Sequence, residues 1–340
     1  MFKIENRRYT GSKQRLIIEI KKYIRNNCSG KIFCDIFAGT GSVANALKEE
    51  FDLIIVNDFL YSNNSIFEGF WGKQDYDAKK IENLELEYKK LDSNSLPENF
   101  FSKNFGNKYF EKNDSKKIGW IREDIEKKFL SDFLNLREKN ILIASLIFSL
   151  DKVANTVGHY EAFLKKNIPN LKQKFKFSLI CPEGSTLNKK IKIYREDANE
   201  LIKKINADIL FIDPPYNSRQ YSRFYHLLET ITKWDKPELF GEALKPKPEN
   251  MSLFSRCTAN IAFKNLIDIA VCKYIVVTYN NTFNPKSSSS KNKISYEAIL
   301  DILKSKGKVK IFEIPHKFFS SGKTEFKNHI EYLFIVKVAK

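Results

Sequence analysis

A buried strand, a glycine-rich turn, a helix and a second buried strand follow one another between residues 32 and 58. The mostly apolar run Ile32–Ile36 leads into the turn Ala38–Ser42. A helix is predicted over 43–50, and Leu53–Val56 is the next apolar run. Apolar strands joined through a helix are typical of a parallel sheet that is covered on both faces. This segment therefore predicts an α/β fold, and an amphipathic helix over Lys13–Asn26 precedes it.

The α/β pattern stops after residue 65 and resumes near residue 188. Residues 73–138 are rich in lysine, glutamate, asparagine and aspartate, and Ile121–Leu136 and Ile141–Lys166 have the apolar spacing of helices. We therefore predict one α/β domain of residues 1–65 and 188–340 with a mostly helical insert, residues 66–187. The further strands are predicted at Ile191–Tyr194, Ile209–Ile212, Tyr274–Thr278 and in a closing hairpin, Val309–Phe318 and Ile330–Val338, whose last strand is antiparallel to the rest.

The chain is basic, with a formal net charge of +17. The excess lies late in the sequence: residues 188–340 hold 27 basic and 16 acidic residues, whereas residues 66–187 hold 21 and 18. Such an imbalance favours a polyanionic partner such as nucleic acid. Lys286, Lys291 and Lys293 surround Ser287–Ser290 and predict a basic loop that contacts phosphate. The alternative is that this charge serves solubility alone.

Composition excludes several classes of protein. The hydrophobic share of 42% excludes a wholly disordered chain. The longest apolar run, Ile141–Leu150, is about half the length of a membrane-spanning helix, and the N-terminus lacks the apolar core of a signal peptide. Five cysteines without a CxxC pair predict reduced thiols in a cytosolic protein and no zinc site.

The glycine-rich turn favours a ligand that contains a nucleoside with an amino-acid tail. Gly39 and Gly41 can adopt positive φ and let the backbone approach a ligand closely. Asp58 ends the next strand, where a carboxylate can accept both hydroxyls of a ribose. The alternatives are a purely structural turn at the glycines and a helix N-cap or surface acid at Asp58.

Asp213-Pro214-Pro215-Tyr216 follows the apolar strand Ile209–Ile212 directly. The carboxyl ends of strands are where α/β sheets place their active sites. Prolines lack an N–H, so the Pro214 carbonyl can point at a ligand, and Asp213 provides a second acceptor beside it. Two acceptors and the aromatic face of Tyr216 suit an exocyclic amino group on a planar base. The alternative is a proline-rich turn with an N-capping aspartate.

Residues 35–42 and 213–216, with Tyr9-Thr10-Gly11-Ser12-Lys13 near the start, resemble the D12 class of DNA adenine-N6 methyltransferases in its alpha arrangement. The resemblance covers about residues 1–65 and 190–340. It implies a Rossmann-like sheet, S-adenosylmethionine as the methyl donor without a metal, and double-stranded DNA as the substrate. The insert is then the target-recognition domain. It also implies a monomer in the bacterial cytoplasm that either accompanies a restriction endonuclease or acts alone.

The same resemblance implies the roles of individual residues. Tyr9 to Lys13 would hold the methionine end of the donor, Asp35 to Gly41 and Asp58 its tail and ribose, and Asp197 its adenine. Taken alone, Asp197 is equally consistent with a helix N-cap. The implied donor-binding residues are Tyr9, Gly11, Ser12, Lys13, Asp35, Phe37, Ala38, Gly39, Thr40, Gly41, Asp58, Asp197 and Ala198, and the implied catalytic residues are Asp213, Pro214, Pro215 and Tyr216.

The implied reaction needs an adenine that has left the base stack, because N6 is hydrogen-bonded inside the duplex. Asp213 and the Pro214 carbonyl would accept the two N6 hydrogens, and Tyr216 would stack on the base. Methylation of RNA adenine or of cytosine N4, and a non-catalytic DNA-binding relative, are the competing interpretations. Asp213 favours adenine, because cytosine-N4 enzymes mostly carry serine at this position.

Candidate DNA contacts are predicted in the insert and after the Asp213–Tyr216 motif. Asn155, Thr156 and His159 follow an apolar helix, and asparagine pairs bidentately with adenine in the major groove. Arg219 and Arg223 are predicted to reach phosphate. The alternatives are caps and turns for the first three residues and a packed or solvated helix face for the two arginines.

Overall fold

The computed structural model of the protein describes residues 1–7, 9–165, 173–184, 190–216, 218–281, 293–315 and 330–339. The chain divides into two units. The first consists of Met1–Gly11, Leu60–Lys189 and Tyr221–Glu249, and the second of Ser12–Phe59, Lys190–Gln220 and Asn250–Lys340. The predicted insert, residues 66–187, lies within the first unit, and its role in target recognition stays a prediction.

The described strands of the second unit are β1 Ile32–Asp35, β2 Leu53–Asn57, β3 Ile191–Tyr194, β4 Ile209–Ile212, β5 Tyr274–Asn280, β6 Gly307–Pro315 and β7 Ile330–Val338. They form one seven-stranded sheet in the order β3-β2-β1-β4-β5-β7-β6. Neighbours from β3 to β5 are parallel, whereas β7 runs antiparallel to both β5 and β6. This topology confirms the predicted Rossmann-like sheet and its antiparallel last strand.

Strand β1 lies between β2 and β4, with Cys34 opposite both Ile55 and Leu210. All three strands are almost completely buried, as expected for a parallel sheet with both faces covered. Because they are parallel, their carboxyl ends meet at one edge of the sheet. The residues that follow these ends are therefore brought together by the fold, although they are far apart in the sequence.

The helices of the second unit are Ile17–Asn27, Ser42–Leu47, Ala198–Leu201, Ala259–Ile269 and Tyr296–Lys304. Leu266 and Ile299 pack with Ile275 in one apolar cluster. The predicted helix over Lys13–Asn26 starts later, at Ile17, because a short 3-10 turn over Gln14–Leu16 precedes it. The helix after the glycine-rich turn ends at Leu47, earlier than predicted.

The described helices of the first unit are Tyr61–Trp71, Ala78–Lys90, Phe100–Phe105, Lys112–Leu130, Leu136–Asp151, Tyr221–Phe224 and His226–Lys233. The predicted helix over 121–136 is wrong in its bounds, because a break at 131–135 divides it. Asp132 has a φ of 57°, and the Asn135 side chain accepts the Glu138 N–H at 2.9 Å, which caps a new helix. That helix ends at Asp151, well before the predicted residue 166.

All five cysteines are free thiols. Among the described residues, no helix is long and apolar enough to cross a membrane. In the same part of the chain, no group of three or more histidine, cysteine, aspartate or glutamate side chains is arranged to hold a metal ion.

Candidate active site

Two glycines shape the turn after β1. Gly39 and Gly41 have φ angles of 54° and 74°, a left-handed conformation that costs other residues about 1–2 kcal/mol. The Gly41 N–H donates to the Ala38 carbonyl at 2.7 Å and closes the turn. Within it, the Thr40 hydroxyl donates to the Ser42 hydroxyl at 3.2 Å. Both glycines therefore have the conformation that their sequence pattern predicts.

Asp58 lies at the end of β2 and contacts the turn directly. Its Oδ2 accepts the Gly39 N–H at 3.0 Å, and the N-cap residue of the helix that follows is Leu60. Beside it, the buried Asn57 amide donates to the carbonyls of Ile36 and Glu196, both at 3.0 Å. Asn57 thus ties together the segments that follow β1 and β3. Sequence reasoning missed this residue, since an asparagine at a strand end carries no distinctive signal.

Asp35, the last residue of β1, is a buried carboxylate with an unsatisfied oxygen. It is 1% exposed, and among the described residues nothing donates a hydrogen bond to its Oδ1. Burial, together with the nearby charges of Asp213 and Asp58, raises the pKa of Asp35 well above its usual range. A buried, unpaired carboxylate oxygen fits a positively charged ligand group. The site therefore suits a ligand that carries a positively charged group.

Two more of the predicted donor-binding residues have protein contacts of their own. The ring of Phe37 packs edge-on against Phe254, with centroids 4.9 Å apart. Asp197 caps the helix Ala198–Leu201, since its Oδ1 accepts the Asn199 N–H at 2.9 Å. The N-cap interpretation of Asp197 is thus realised in the structure, and its contact with the donor adenine stays a prediction.

Asp213 follows β4 and is held by three side chains of the second unit. Its Oδ1 contacts the Lys13 ammonium at 2.8 Å and accepts the Thr278 hydroxyl at 2.9 Å and the Tyr216 hydroxyl. In the part of the chain that the structure describes, every side-chain donor that reaches Asp213 meets Oδ1. Oδ2 is therefore the oxygen left for a ligand.

Tyr216 uses its hydroxyl inside the same cluster. The Lys13 ammonium donates to that hydroxyl at 2.6 Å and lies 4.6 Å from the ring centroid. The ring also packs edge-on against Tyr279, with centroids 4.8 Å apart. Pro214 is buried and Pro215 half-buried between Asp213 and Tyr216.

Glu331 completes this cluster and was missed by sequence reasoning. It lies on β7, is 3% exposed, and its Oε1 is 3.1 Å from the Lys13 ammonium and 3.0 Å from the Tyr216 hydroxyl. Its one signal in the sequence is a carboxylate directly before the mostly apolar run 332–336. It pairs with Asn280 of β5 across the antiparallel ladder.

The charged groups in the cluster shift one another's pKa values. Burial raises the pKa of Asp213, Lys13 opposes that shift, and Glu331 adds to it, so the pKa ends above its usual value. Burial alone would lower the pKa of Lys13, but Asp213 and Glu331 outweigh it and raise that pKa. Burial and the two carboxylates raise the pKa of Tyr216 well above its usual range. Tyr216 is therefore a neutral phenol that donates its proton to the cluster.

The segment from Tyr9 to Lys13 is divided between the two units. Tyr9 stacks on Tyr225 at 4.7 Å, and the Thr10 backbone donates to the Tyr225 hydroxyl and accepts from the Tyr221 hydroxyl. Gly11 ends this part with a φ of 83°. Ser12 and Lys13 belong to the second unit, where Ser12 accepts the Gln14 N–H at 3.4 Å. The predicted contact of this segment with the methionine end of the donor stays a prediction.

The candidate base-contacting residues of the first unit have structural partners. Asn155 is 2% exposed, and its amide donates to the Lys108 and Leu164 carbonyls at 2.9 and 2.8 Å. A base contact by Asn155 would break both bonds, so the alternative of a structural turn fits this residue better. Thr156 and His159 are half-buried, with the His159 ring stacked on Phe224 at 4.7 Å.

The predicted phosphate contacts differ in accessibility. Arg219 is exposed, whereas Arg223 is half-buried and donates to the Pro246 carbonyl at 2.6 Å. Lys293 is half-buried, which lowers its pKa. Lys286 and Lys291 lie outside the described residues.

Comparison with known proteins decides the family. The family model for D12 class N6 adenine-specific DNA methyltransferases matches residues 9–298, most of the chain. The chain belongs to this family. Membership fits the site, because a glycine-rich turn, an end-of-strand carboxylate and the Asp213–Tyr216 motif meet at one edge of a Rossmann-like sheet.

Curated relatives of this methyltransferase family match nearly the whole chain. The Type II methyltransferase M.NlaIII of Neisseria lactamica is 31% identical over 97% of this chain and 98% of its own length. The Type II methyltransferase M.FokI of Planomicrobium okeanokoites is 32% identical and the Modification methylase StsI of Streptococcus sanguinis 33% identical, each over 97% of this chain. The chain spans about half the length of the latter two, 52% in both cases.

Proposed function

We propose that this chain transfers a methyl group from S-adenosylmethionine to N6 of an adenine in a specific double-stranded DNA sequence. The observation that carries the proposal is the anchoring of Asp213. Lys13, Thr278 and Tyr216 hold its Oδ1, which leaves Oδ2 to accept a hydrogen bond from an amino group. Family membership and the names of the relatives support adenine in DNA as the target.

The donor-binding part of the proposal rests on three features of the second unit. Asp35 offers an unpaired carboxylate oxygen to a cation, and Gly39 and Gly41 allow the backbone to approach a ligand closely. Asp58 is held against the turn and accepts the ribose hydroxyls in this proposal. S-adenosylmethionine, when bound, supplies a methyl group on a sulfonium, and the sulfur leaves as a neutral thioether when that methyl group is transferred.

In the base-binding part of the proposal, the protein supplies the two hydrogen-bond acceptors for the adenine amino group. The adenine leaves the duplex, since N6 is inaccessible within the stack. Asp213 Oδ2 and the Pro214 carbonyl accept the two N6 hydrogens and orient the nitrogen lone pair. The ring of Tyr216 packs against the base, while its hydroxyl remains bonded within the cluster. The rate enhancement then comes mainly from positioning the reacting nitrogen.

Incubation of the purified chain with labelled S-adenosylmethionine and unmodified duplex DNA, followed by nucleoside mass spectrometry, tests this function. The expected product is N6-methyladenine in duplex DNA, with little transfer to RNA. N4-methylcytosine, or methylation of RNA alone, would move the chemistry to another substrate. Absence of transfer despite measurable DNA binding would support a non-catalytic relative.

We further propose that the chain is a monomeric modification enzyme of the bacterial cytoplasm, paired with a restriction endonuclease of the same specificity. The support is that its relatives are named Type II methyltransferases and modification methylases. DNA methylated by the chain is then expected to resist an endonuclease that cuts the same sequence. Light scattering after size-exclusion chromatography measures the oligomeric state.

Substitutions at three residues of the first unit are expected to distinguish residues that recognise the DNA sequence from one that stabilises the fold. Thr156→Ala and His159→Ala change the set of methylated sequences without changing donor affinity, if this unit reads bases. Asn155→Ala instead lowers the free energy of unfolding by about 1–3 kcal/mol, because it removes two partly buried hydrogen bonds to backbone carbonyls. Modified-base sequencing and thermal melts measure the two effects. Unchanged sequence choice in the first two variants would place recognition elsewhere.

A triple variant, Lys286→Gln, Lys291→Gln and Lys293→Gln, is expected to weaken binding to all DNA sequences alike. Each phosphate contact that is lost reduces the number of counterions released on binding. The slope of log affinity against log salt therefore becomes shallower by about 0.9 per contact. The slope therefore flattens by up to about three units. Binding isotherms at several salt concentrations measure it, with the exposed Lys264→Gln as control. Coincident lines for wild type and triple variant would show that these lysines do not contact DNA.

A further inference from the structure

A buried lysine in the second unit shares two carboxylates. The Lys13 side chain is 6% exposed, and its ammonium lies 2.8 Å from Asp213 Oδ1 and 3.1 Å from Glu331 Oε1. The Glu331 side chain is 4% exposed. Lys13 and Glu331 are therefore almost completely shielded from water, and Asp213, whose side chain is 15% exposed, is largely shielded. Attraction and repulsion between charges are strong in such surroundings.

Asp213 has two competing tasks in this cluster. It is a counter-ion of Lys13, and under the proposed function it accepts a hydrogen bond from the substrate amino group. A carboxylate neutralised by an exclusive ion pair is a weaker acceptor than one that keeps most of its negative charge. A second counter-ion for Lys13 relieves this competition, and Glu331 is positioned to be one.

We propose that Glu331 is a positioning residue of the base site, which shares the Lys13 ammonium with Asp213 and so preserves the acceptor strength of Asp213 toward the substrate amino group. The inference rests on the proposed function, because it assigns Asp213 to that amino group. Glu331 acts through Lys13 and does not itself touch the base. Its second contact, with the Tyr216 hydroxyl, needs an acceptor oxygen but no charge.

Glu331→Gln removes the negative charge at this position without changing the shape of the side chain. Glutamine keeps the shape and an oxygen beside the Tyr216 hydroxyl, whose single hydrogen also reaches Asp213, but it carries no charge that competes for Lys13. We expect kcat to fall at least about tenfold with little change in the KM for DNA or in donor affinity, as for an interaction felt mainly in the transition state. Glu313→Gln, an exposed glutamate on β6, is the matched control and keeps the wild-type kcat.

The pH profile distinguishes this role from simple structural damage. The titratable groups that act on Asp213 are Lys13, Tyr216, Glu331 and the nearby Asp35. Glu331 raises the pKa of Asp213, so its removal lowers that pKa. The reaction needs ionised Asp213. In Glu331→Gln the acid limb of the profile of kcat against pH therefore moves to lower pH, while the plateau value of kcat drops. Disordered packing would lower the plateau without this shift.

A double-mutant cycle with Lys13→Met completes the test. If Glu331 acts through Lys13, Glu331→Gln causes no further loss of kcat in the Lys13→Met background. A further tenfold loss there would overturn the inference, and this comparison remains decisive if the single Glu331→Gln variant does not fold. If Glu331→Gln has the wild-type kcat and an unshifted acid limb, the inference about Glu331 is overturned, but the proposed function is not. A wild-type chain that transfers no methyl group would overturn the proposed function and the inference together.

Discussion

Asp213→Ala is expected to lower the turnover of methyl transfer by at least about 100-fold, equivalent to about 3 kcal/mol of lost transition-state stabilisation. The reason is that Oδ2 is the proposed acceptor of an N6 hydrogen, and Oδ1 is already anchored by Lys13, Thr278 and Tyr216. Donor affinity stays close to wild type, because the proposed donor site lies on the glycine-rich turn and Asp58. Single-turnover kinetics and calorimetric titration of the donor measure the two quantities separately.

The fold is expected to survive this substitution, since Lys13 retains Glu331 as a counter-ion. Asp213→Asn provides a second variant of nearly the same shape, and Asp301→Ala removes an exposed carboxylate of the same unit as a control. Turnover in Asp213→Ala within a few-fold of wild type would contradict the assignment of Asp213 to the substrate.

Asp58→Ala is expected to weaken donor binding by about 10–100-fold, since hydrogen bonds to a charged acceptor contribute about 1.5–3 kcal/mol. Asp58 is proposed to accept the ribose hydroxyls, and its Oδ2 also supports the Gly39 N–H. The substitution therefore removes a ligand contact and a brace of the turn together. Calorimetric titration with S-adenosylmethionine measures the dissociation constant directly.

Asp52→Ala is the matched control for this second prediction. Asp52 precedes β2, its side chain is 71% exposed, and it lies 3.7 Å from Lys31 at the protein surface. Its loss is expected to leave donor affinity unchanged. Equal dissociation constants for Asp58→Ala and wild type would remove Asp58 from the donor site and leave it only the role of supporting the turn.

The parts of the fold that sequence reasoning predicted correctly depend on local patterns. The apolar runs of β1, β2 and β4 mark buried strands, and Gly39 and Gly41 mark a turn with positive φ. The Asp213–Tyr216 motif is short and contiguous, so its position at a strand end follows from the run before it. Each signal spans only a few residues, which is why an isolated sequence reveals it.

The features that were missed depend on contacts between distant segments. Glu331 meets Lys13 and Tyr216 because β7 pairs with β5, and no local pattern near Glu331 encodes that pairing. Asn155 resembled a base-reading residue until its burial and its two carbonyl partners were known. The break at 131–135 depends on how Asn135 caps the following helix, which periodicity alone does not indicate.

Base-resolution sequencing of modified DNA from a bacterial host that expresses the chain tests the central claim most directly. The host lacks other adenine methyltransferases, and a parallel culture expresses Asp213→Ala. We expect N6-methyladenine at nearly every copy of one short sequence with the wild-type chain and at none with the variant. Unmodified DNA from well-expressed, folded wild-type protein, or a methyl group on cytosine N4 instead, would contradict the account.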